Sequence, residues 1–447
     1  MLRKKITLIA ISAVLVSIIC STYAILPVLA VEKTEGIWNS VNFVDATNNV
    51  DTTKEAITNK LIDTTVYDEK LYIATSVSTK NKSDTSDRKN KIYVQAYDGQ
   101  NWSNIGEEIT VSKTIKEMSQ LSFCNRPEGL YLFYSTQGLL EICKLDTINN
   151  QWVTVTTISD IYGSFGIATE RNTTYITAIS SDQSIAKIYN FDGNNLTEDG
   201  IYFEHNGIID EPKAAILNGT LYISLRELGS PQISLYSYVN GQAKKIECSL
   251  NAYSYTMSIV NEDTGSKLYI AATTTDDKQM IIHSYDGTKW TLHETGLEYE
   301  THYPEMVAKS GEIYILALFV DNKLQTYTYS KSTGQFVKQG EDVDDSAIRA
   351  QAIAFKDYIY TAYQDENTLE IRVKRKEYLP DYYRGDINQD GSVNIRDVIL
   401  GAKALVGLET LTPEQEKIGH VTTKLNYFNL QDIIRICKYL VGNIETL

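Results

Sequence analysis

Residues 385–397 read GDINQDGSVNIRD, a run in which acidic and amide side chains fall at alternate positions. Asp386, Asn388 and Asp390 take the first, third and fifth places of a loop, Gly391 stands where the backbone must turn sharply, Ser392 can offer its carbonyl at the seventh place, and Asp397 closes the loop at the twelfth. A hard cation takes about six to eight oxygen ligands, and this D-x-N-x-D-G spacing supplies them from one short stretch. The chemistry implied is calcium binding, one ion in this loop. A second set of reactive residues lies earlier in the chain. Asp210, His302, Glu305 and Arg349 are candidate catalytic groups, and Tyr253, Tyr255 and Tyr303 are candidate ligand-binding rings. Rings that stack and carboxylates that bind hydroxyls are the chemistry of a sugar site. Asp210 and Glu305 would act as acid and base, or acid and nucleophile, only if their carboxyls stood about 5–9.5 Å apart.

The elements that must position these residues follow from a repeat. Between about residue 60 and residue 372 an apolar-Tyr-apolar strand, a polar turn, an alternating strand and an Asp-Gly-like turn recur. Tyr72, Tyr131, Tyr175, Tyr222, Tyr269, Tyr314 and Tyr360 mark the register, and from Tyr131 onward they return about every 46 residues, the length of one four-stranded propeller blade. The first gap is longer because Ser78 to Asn90 is a polar insertion. Seven tyrosines predict a mostly β fold, a seven-bladed β-propeller over 31–380. Asp98-Gly99, Asp192-Gly193, Asn240-Gly241 and Asp286-Gly287 are hairpin signals, each ahead of an outer strand. In that strand Trp102, Trp152, Trp290 and Phe336 share one position, with Leu196 and Ala243 in the weaker copies, as wedges between blades. The seventh repeat lacks an outermost strand, and GIWNSVNFVDA (36–46) supplies a Trp-bearing one with no blade of its own, so the N-terminal strand is expected to close the last blade. In this register the candidate residues sit where the loops lead into the innermost strands, on one face around the channel. The pattern resembles a kelch- or sialidase-like propeller, but the kelch double glycine and the sialidase Asp-box are missing.

After LPDYYR the register changes. A helix is expected from Asp397 to Leu405, and NIRDVILGAKALVG (394–407) repeats as NLQDIIRICKYLVG (429–442) with half of the positions identical. A duplicated half EF-hand of this size resembles the type I dockerin over residues 384–447, a small all-α module assigned here to 381–447. The resemblance implies a cohesin domain on a scaffold protein as partner, as in a cellulosome. It also implies that cohesin is read by Ile395 and Arg396 in the first copy and by Leu430 and Gln431 in the second, with Lys403 and Lys438 on the helices. The apolar members suit a helix core equally well. Read at the same shift, the second loop carries Val421, Thr423 and Leu425 in place of the carboxylates, so it is expected to be empty of calcium.

Residues 1–30 read as a signal peptide: MLRKK, an apolar run from Ile6, and small Val28 and Ala30 before Glu32. Secretion is the expectation, with the protein extracellular or held at the cell surface through its scaffold, and no membrane contact after cleavage. The alternative is a retained anchor, because the run is about long enough to span a bilayer. A formal charge of −15, more negative once Arg3, Lys4 and Lys5 leave, argues against nucleic-acid binding. Cys124, Cys143, Cys248 and Cys437 form no CxxC and are read as small buried hydrophobes. No G-x-S-x-G, HExxH or P-loop is present. Three function classes therefore stand for the propeller: a module that binds a plant or host glycan, a glycoside hydrolase or polysaccharide lyase, and a protein-interaction ring.

Overall fold

The computed structural model describes residues 38–442 apart from 49–52, 85–87, 112–117, 205–207, 229–230, 240, 249, 263–264, 276–278, 294–300, 310–311, 331–334, 339–341, 357, 378–384, 389–392 and 423–427. The segment read as a signal peptide, 1–30, lies outside the described residues. Two compact units result, one over Gly36–Tyr378 and one that includes Leu379–Leu447.

Alternation of apolar and polar residues makes the first unit strand after strand, and the strands form seven antiparallel sheets. The innermost strands are Glu55–Tyr67, Met118–Arg126, Ile161–Glu170, Ile208–Leu217, Ser254–Glu262, Thr301–Lys309 and Ala347–Phe355. Each neighbours the next and the last neighbours the first, so the sheets are the blades of a seven-bladed propeller around a central channel. Blade 1 differs in having its outer strand in two pieces, Trp102–Asn104 and Ile109–Val111, and the polar insertion lengthens its second and third strands.

The seven register tyrosines fall one on each second strand. Four of their rings reach the third strand of the following blade. Tyr131 meets Phe191 at 5.5 Å between centroids, Tyr175 meets Tyr238 at 6.4 Å, Tyr222 meets Tyr285 at 5.9 Å, and Tyr360 meets Tyr97 at 6.1 Å across the closing seam. Such edge-on pairs are worth about 0.5–1.5 kcal/mol beyond the area they bury, which is why a ring recurs at this position. The wedges act in the other direction: Trp152 and Trp290 each donate Nε1–H at 3.0 Å to a carbonyl of the preceding blade, Ile105 and Glu247 respectively.

The last blade takes its fourth strand from the start of the chain. That strand is Asn39–Ser40, paired with Arg375 and Lys374, and so far shorter than 36–46. Trp38 is half-buried and packs against Tyr314 of blade 6 and Ile359 of blade 7. Beyond it the chain is pinned by charge. Lys60, fully buried on the innermost strand of blade 1, donates to Asp45 Oδ2 at 3.0 Å and Asn48 Oδ1 at 3.3 Å. The same Asp45 oxygen accepts the Ile371 N–H of blade 7 at 2.8 Å. One carboxylate thus joins the first blade to the last.

Of the five cysteines, the four among the described residues, Cys124, Cys143, Cys248 and Cys437, form no disulfide; the first three are buried, Cys437 is half-buried, and burial pushes each thiol up. No helix among the described residues is long and apolar enough to cross a membrane.

In the second unit the regular elements among the described residues are three helices, α1 (Ile395–Leu405), α2 (Pro413–Gly419) and α3 (Leu430–Leu440). α1 and α3 begin alike: Asn394 and Asn429 cap them, and Asp397 and Asp432 complete reciprocal capping boxes. Ile387, Val393, Val398, Leu411, Val421, Ile433 and Ile436 form the core. Gly401 lets α1 approach α3 closely, since a Cβ there would collide with Ile433 Cδ1.

Candidate functional site

Six of the seven innermost strands shift register near their start, the exception being that of blade 5. Bulges re-aim side chains. In blade 6 the shift between His302 and Glu305 leaves Tyr303 at φ +31° and turns its ring outward, 54% exposed. Its N–H donates to Ser254 Oγ of blade 5 at 3.1 Å. Beside it the Tyr253 and His302 rings lie edge-on with centroids 5.7 Å apart, and His302 and Tyr303 are 6.1 Å apart. Tyr253 is 44% exposed, and Arg226 donates to its carbonyl. His302 Nδ1 is a buried atom without a hydrogen-bond partner among the described residues. Arg349, exposed on blade 7, lies close enough to Tyr303 for that ring to influence its ionisation, while its own desolvation lowers the guanidinium pKa. Tyr253, His302, Tyr303 and Arg349 thus gather on the rim of blades 5 to 7.

Tyr255 does not join them. Tyr255 is only 4% exposed and packs between blades 4 and 5, where Ser224 Oγ donates to its hydroxyl at 3.1 Å. It lies inside the strand Ser254–Glu262, packed against blade 4, so it offers no ring to a ligand. Asp210 pairs with Arg226 in the backbone of blade 4, and its side chain lies outside the described residues.

Glu305 is half-buried further along the same strand, near enough to Asp63 of blade 1 for their charges to interact. Gln351 of blade 7 donates to Glu305 Oε1 at 3.0 Å, and Lys213 of blade 4 draws its pKa down, yet desolvation dominates and pushes it up to about 7. Asp63 of blade 1, whose Oδ2 accepts the Phe123 N–H at 2.6 Å, is likewise pushed up to about 7, first by desolvation and further by the charge of Glu305. The inner strands therefore bring together two carboxyls poised near neutrality, a lysine and an amide. Asp63 was not legible as a site residue; an aspartate directly after Leu61 and Ile62 within a strand is the signal that could have found it.

In the C-terminal unit, Asp386 and Asp397 are fully buried and Asn388 is half-buried, while Asp390 and Ser392 lie outside the described residues. Asp397 accepts the Asn388 N–H at 2.9 Å and the Asn394 N–H at 2.8 Å, one on each oxygen. Two buried carboxylates and an amide are hard oxygen donors, a set that fits calcium. The second loop is offset by one residue from the sequence reading. Thr422, rather than Thr423, meets Asp432, donating N–H and Oγ–H at 2.8 Å each, and Val421 occupies the core place of Ile387. His420 then stands opposite Asp386, so this loop still has no carboxylate at its start, and a hydroxyl of the protein already binds its closing aspartate. Of the residues implied for cohesin, Arg396, Lys403, Gln431 and Lys438 are exposed, Leu430 stands 61% exposed, and its counterpart Ile395 is half-buried against the core.

No protein-family model and no curated protein matches the chain. Among solved structures it is similar to a chain of the mitotic checkpoint complex, with TM-score 0.50 and 14% identity over 80% of this chain and 99% of that one. The SapL1 lectin in complex with alpha methyl fucoside aligns with TM-score 0.42 and 12% identity, covering 58% of this chain and 96% of the lectin. For Trypanosoma rangeli sialidase in complex with sialic acid the values are 0.42 and 9%, covering 80% and 59%. Likeness at these identities concerns the fold alone.

Proposed function

We propose that the chain is a secreted, scaffold-borne component of a polysaccharide-degrading assembly of the cellulosome kind, extracellular or held at the cell surface through its scaffold, whose propeller holds a plant or host glycan. The observation that carries the glycan reading is the exposed ledge of Tyr253, His302 and Tyr303 beside Arg349, aromatic surface that no core requires. Rings of this kind stack on sugar faces, and the adjacent polar groups fix orientation. Binding of the full chain to soluble xylan, glucan, mannan and pectin tests it: Tyr303→Ala should weaken the tightest of these about tenfold, and parent and variant behaving alike would move the reading to a protein-interaction propeller.

A second reading, a glycoside hydrolase or polysaccharide lyase, is favoured by the carboxyls of Asp63 and Glu305, both near pKa 7, where a general acid and base work best. Release of reducing ends that Glu305→Gln abolishes would establish it. Glycan binding without turnover would leave the binding role.

The C-terminal unit is the proposed dockerin. Asp386, Asn388, Asp390, Ser392 and Asp397 would hold one calcium ion, whose charge would offset the buried carboxylates and fix the loop against α1. Cohesin would then dock on the helices through Arg396, Lys403, Leu430, Gln431 and Lys438, with Ile395 more buried. Calorimetry should find one ion per chain; two ions, or cohesin affinity unchanged without calcium, would refute this.

A further inference from the structure

On the side of the ring where the first and second strands of each blade turn, the seam between blade 7 and blade 1 holds a cavity of about 360 Å³. Its walls carry two cations. Arg375 lies over the Tyr358 ring at 4.5 Å and donates to the Tyr360 hydroxyl at 3.4 Å. Lys356 donates to the Asp98 carbonyl at 2.6 Å and sits directly over Gly99, where a Cβ would come within 2.6 Å of its Nζ. The carboxylate lining the cavity, Asp98, is engaged in its own turn, accepting the N–H groups of Gln100 at 2.7 Å and Asn101 at 2.8 Å. Neither Arg375 nor Lys356 has an ion-pair partner among the described residues, in a chain of formal charge −15.

Another seam shows what such a space accepts. Between blades 2 and 3 the place over Gly193, the counterpart of Gly99, is filled by the carboxylate of Glu128, which neutralises Arg126. The position of Arg375, opposite the register tyrosine on the third strand, holds alanine, lysine, asparagine, serine, serine and threonine in the other six blades. At the closing seam arginine stands at that position and an ammonium lies over the glycine, whereas Gly241 and Gly287 have nothing within 4 Å. Among the described residues the carboxylate beside these cations is that of Asp98, whose pKa is lowered by the Asn101 and Gln100 N–H groups and by the charge of Lys356, so two cations face one carboxylate and an acidic ligand would balance the charge.

We propose that this seam binds a small acidic saccharide through its carboxylate, with Arg375 and Lys356 on the charge and the tyrosine hydroxyls on the ring. A guanidinium presents a fork that matches a carboxylate, and the volume suits one or two sugar rings. The site is separate from the aromatic rim and does not depend on it.

Calorimetric titration of the calcium-loaded full chain at fixed ionic strength tests this with three probes: digalacturonate, the neutral disaccharide galactobiose, and sodium sulfate. Digalacturonate should bind, galactobiose at least about tenfold more weakly, and Arg375→Gln should cost digalacturonate at least about tenfold. Arg375→Lys should fall between, because an ammonium keeps the charge and loses the fork. Lys144→Gln, which removes the cation at the equivalent position of blade 2, should change nothing. No binding of digalacturonate, equal binding of galactobiose, or loss in Lys144→Gln but not in Arg375→Gln would overturn the proposal. Sulfate displacing digalacturonate at equal concentration would make the seam an inorganic-anion site and overturn the saccharide assignment. If Arg375→Gln does not fold, Arg375→Lys and Lys356→Gln carry the same test.

Discussion

Two seams of the ring each bury a cation, and they satisfy it in different ways. Between blades 2 and 3, Arg126 donates to Thr174 Oγ1 at 2.6 Å, the Phe191 carbonyl at 2.9 Å and the Asn172 carbonyl at 2.7 Å, besides Glu128. Its partners sit on blades joined by continuous chain. Lys60, between blades 1 and 7, relies on Asp45 and Asn48 from a segment that precedes the first blade. Where the chain runs straight from one blade to the next, neutral acceptors supply most of the bonds. Where the ring must close without a peptide link, the seam adds a counter-charge that also holds the last blade.

The sharpest way to break this comparison is to remove the clasp. Lys60→Met should cost about 3–5 kcal/mol in denaturant unfolding, since it leaves the Asp45 charge buried and unpaired. Hydrogen exchange should then open Asn39–Ser40 and Ile371–Glu377 first. Arg126→Met, by contrast, should loosen blades 2 and 3; the same strands opening in both variants would erase the distinction.

A smaller effect is expected of the wedges. Trp152→Ala, which loses both packing and a hydrogen bond, should cost about 3 kcal/mol, and Trp38→Ala about 2 kcal/mol, because Trp38 is half-buried and its Nε1 has no hydrogen-bond partner among the described residues. Equal stability of Trp38→Ala and the parent would limit closure to the clasp.

The channel carboxyls give a pH signature. Asp63 and Glu305 have folded pKa values raised to about 7, so protonation favours the folded state. Their contribution is therefore full below about pH 4 and is lost as the pH climbs through 7. Glu305→Gln should flatten thermal stability over that window and gain about 1–2 kcal/mol at pH 8, a figure reduced for solvent in the channel. An unchanged pH profile would show the carboxyl to be well solvated.

The smallest change is Gly99→Ala. It imposes a side chain at φ +107° and displaces the Lys356 amine, and it should cost about 1 kcal/mol, read as a drop in melting temperature.

The blades were legible because their cause is local and repeated: a tyrosine, a glycine turn and a wedge at fixed spacing. Glu305, His302, Tyr253 and Tyr303 were reachable for the same reason, since each lies where a loop leads into an inner strand. Tyr255 was misread because it is two residues from Tyr253: Tyr253 precedes the strand Ser254–Glu262, whereas Tyr255 lies inside it and is packed against blade 4. Asp63 and Lys60 stayed hidden for an opposite reason. A polar residue within a strand normally points to solvent, and these two find their partners on other segments, Lys60 on Asp45 ahead of blade 1 and Asp63 on Phe123 of blade 2. The extra residue in the second C-terminal loop escaped notice because the helices after both loops align without a gap.

The Asp45 contact with Ile371 spans 326 residues of sequence, and that separation has a consequence in time. Contacts so far apart form late, because the intervening chain must be ordered before its ends can meet. During synthesis the segment around Asp45 emerges first, yet its docking place on blade 7 emerges only after six blades have been made. Throughout that interval the inner strand of blade 1 carries Lys60 and has only half of its closing seam. Completion of the ring is thus set by the arrival of blade 7, and a chain stalled before residue 371 should persist as an open arc with an exposed edge.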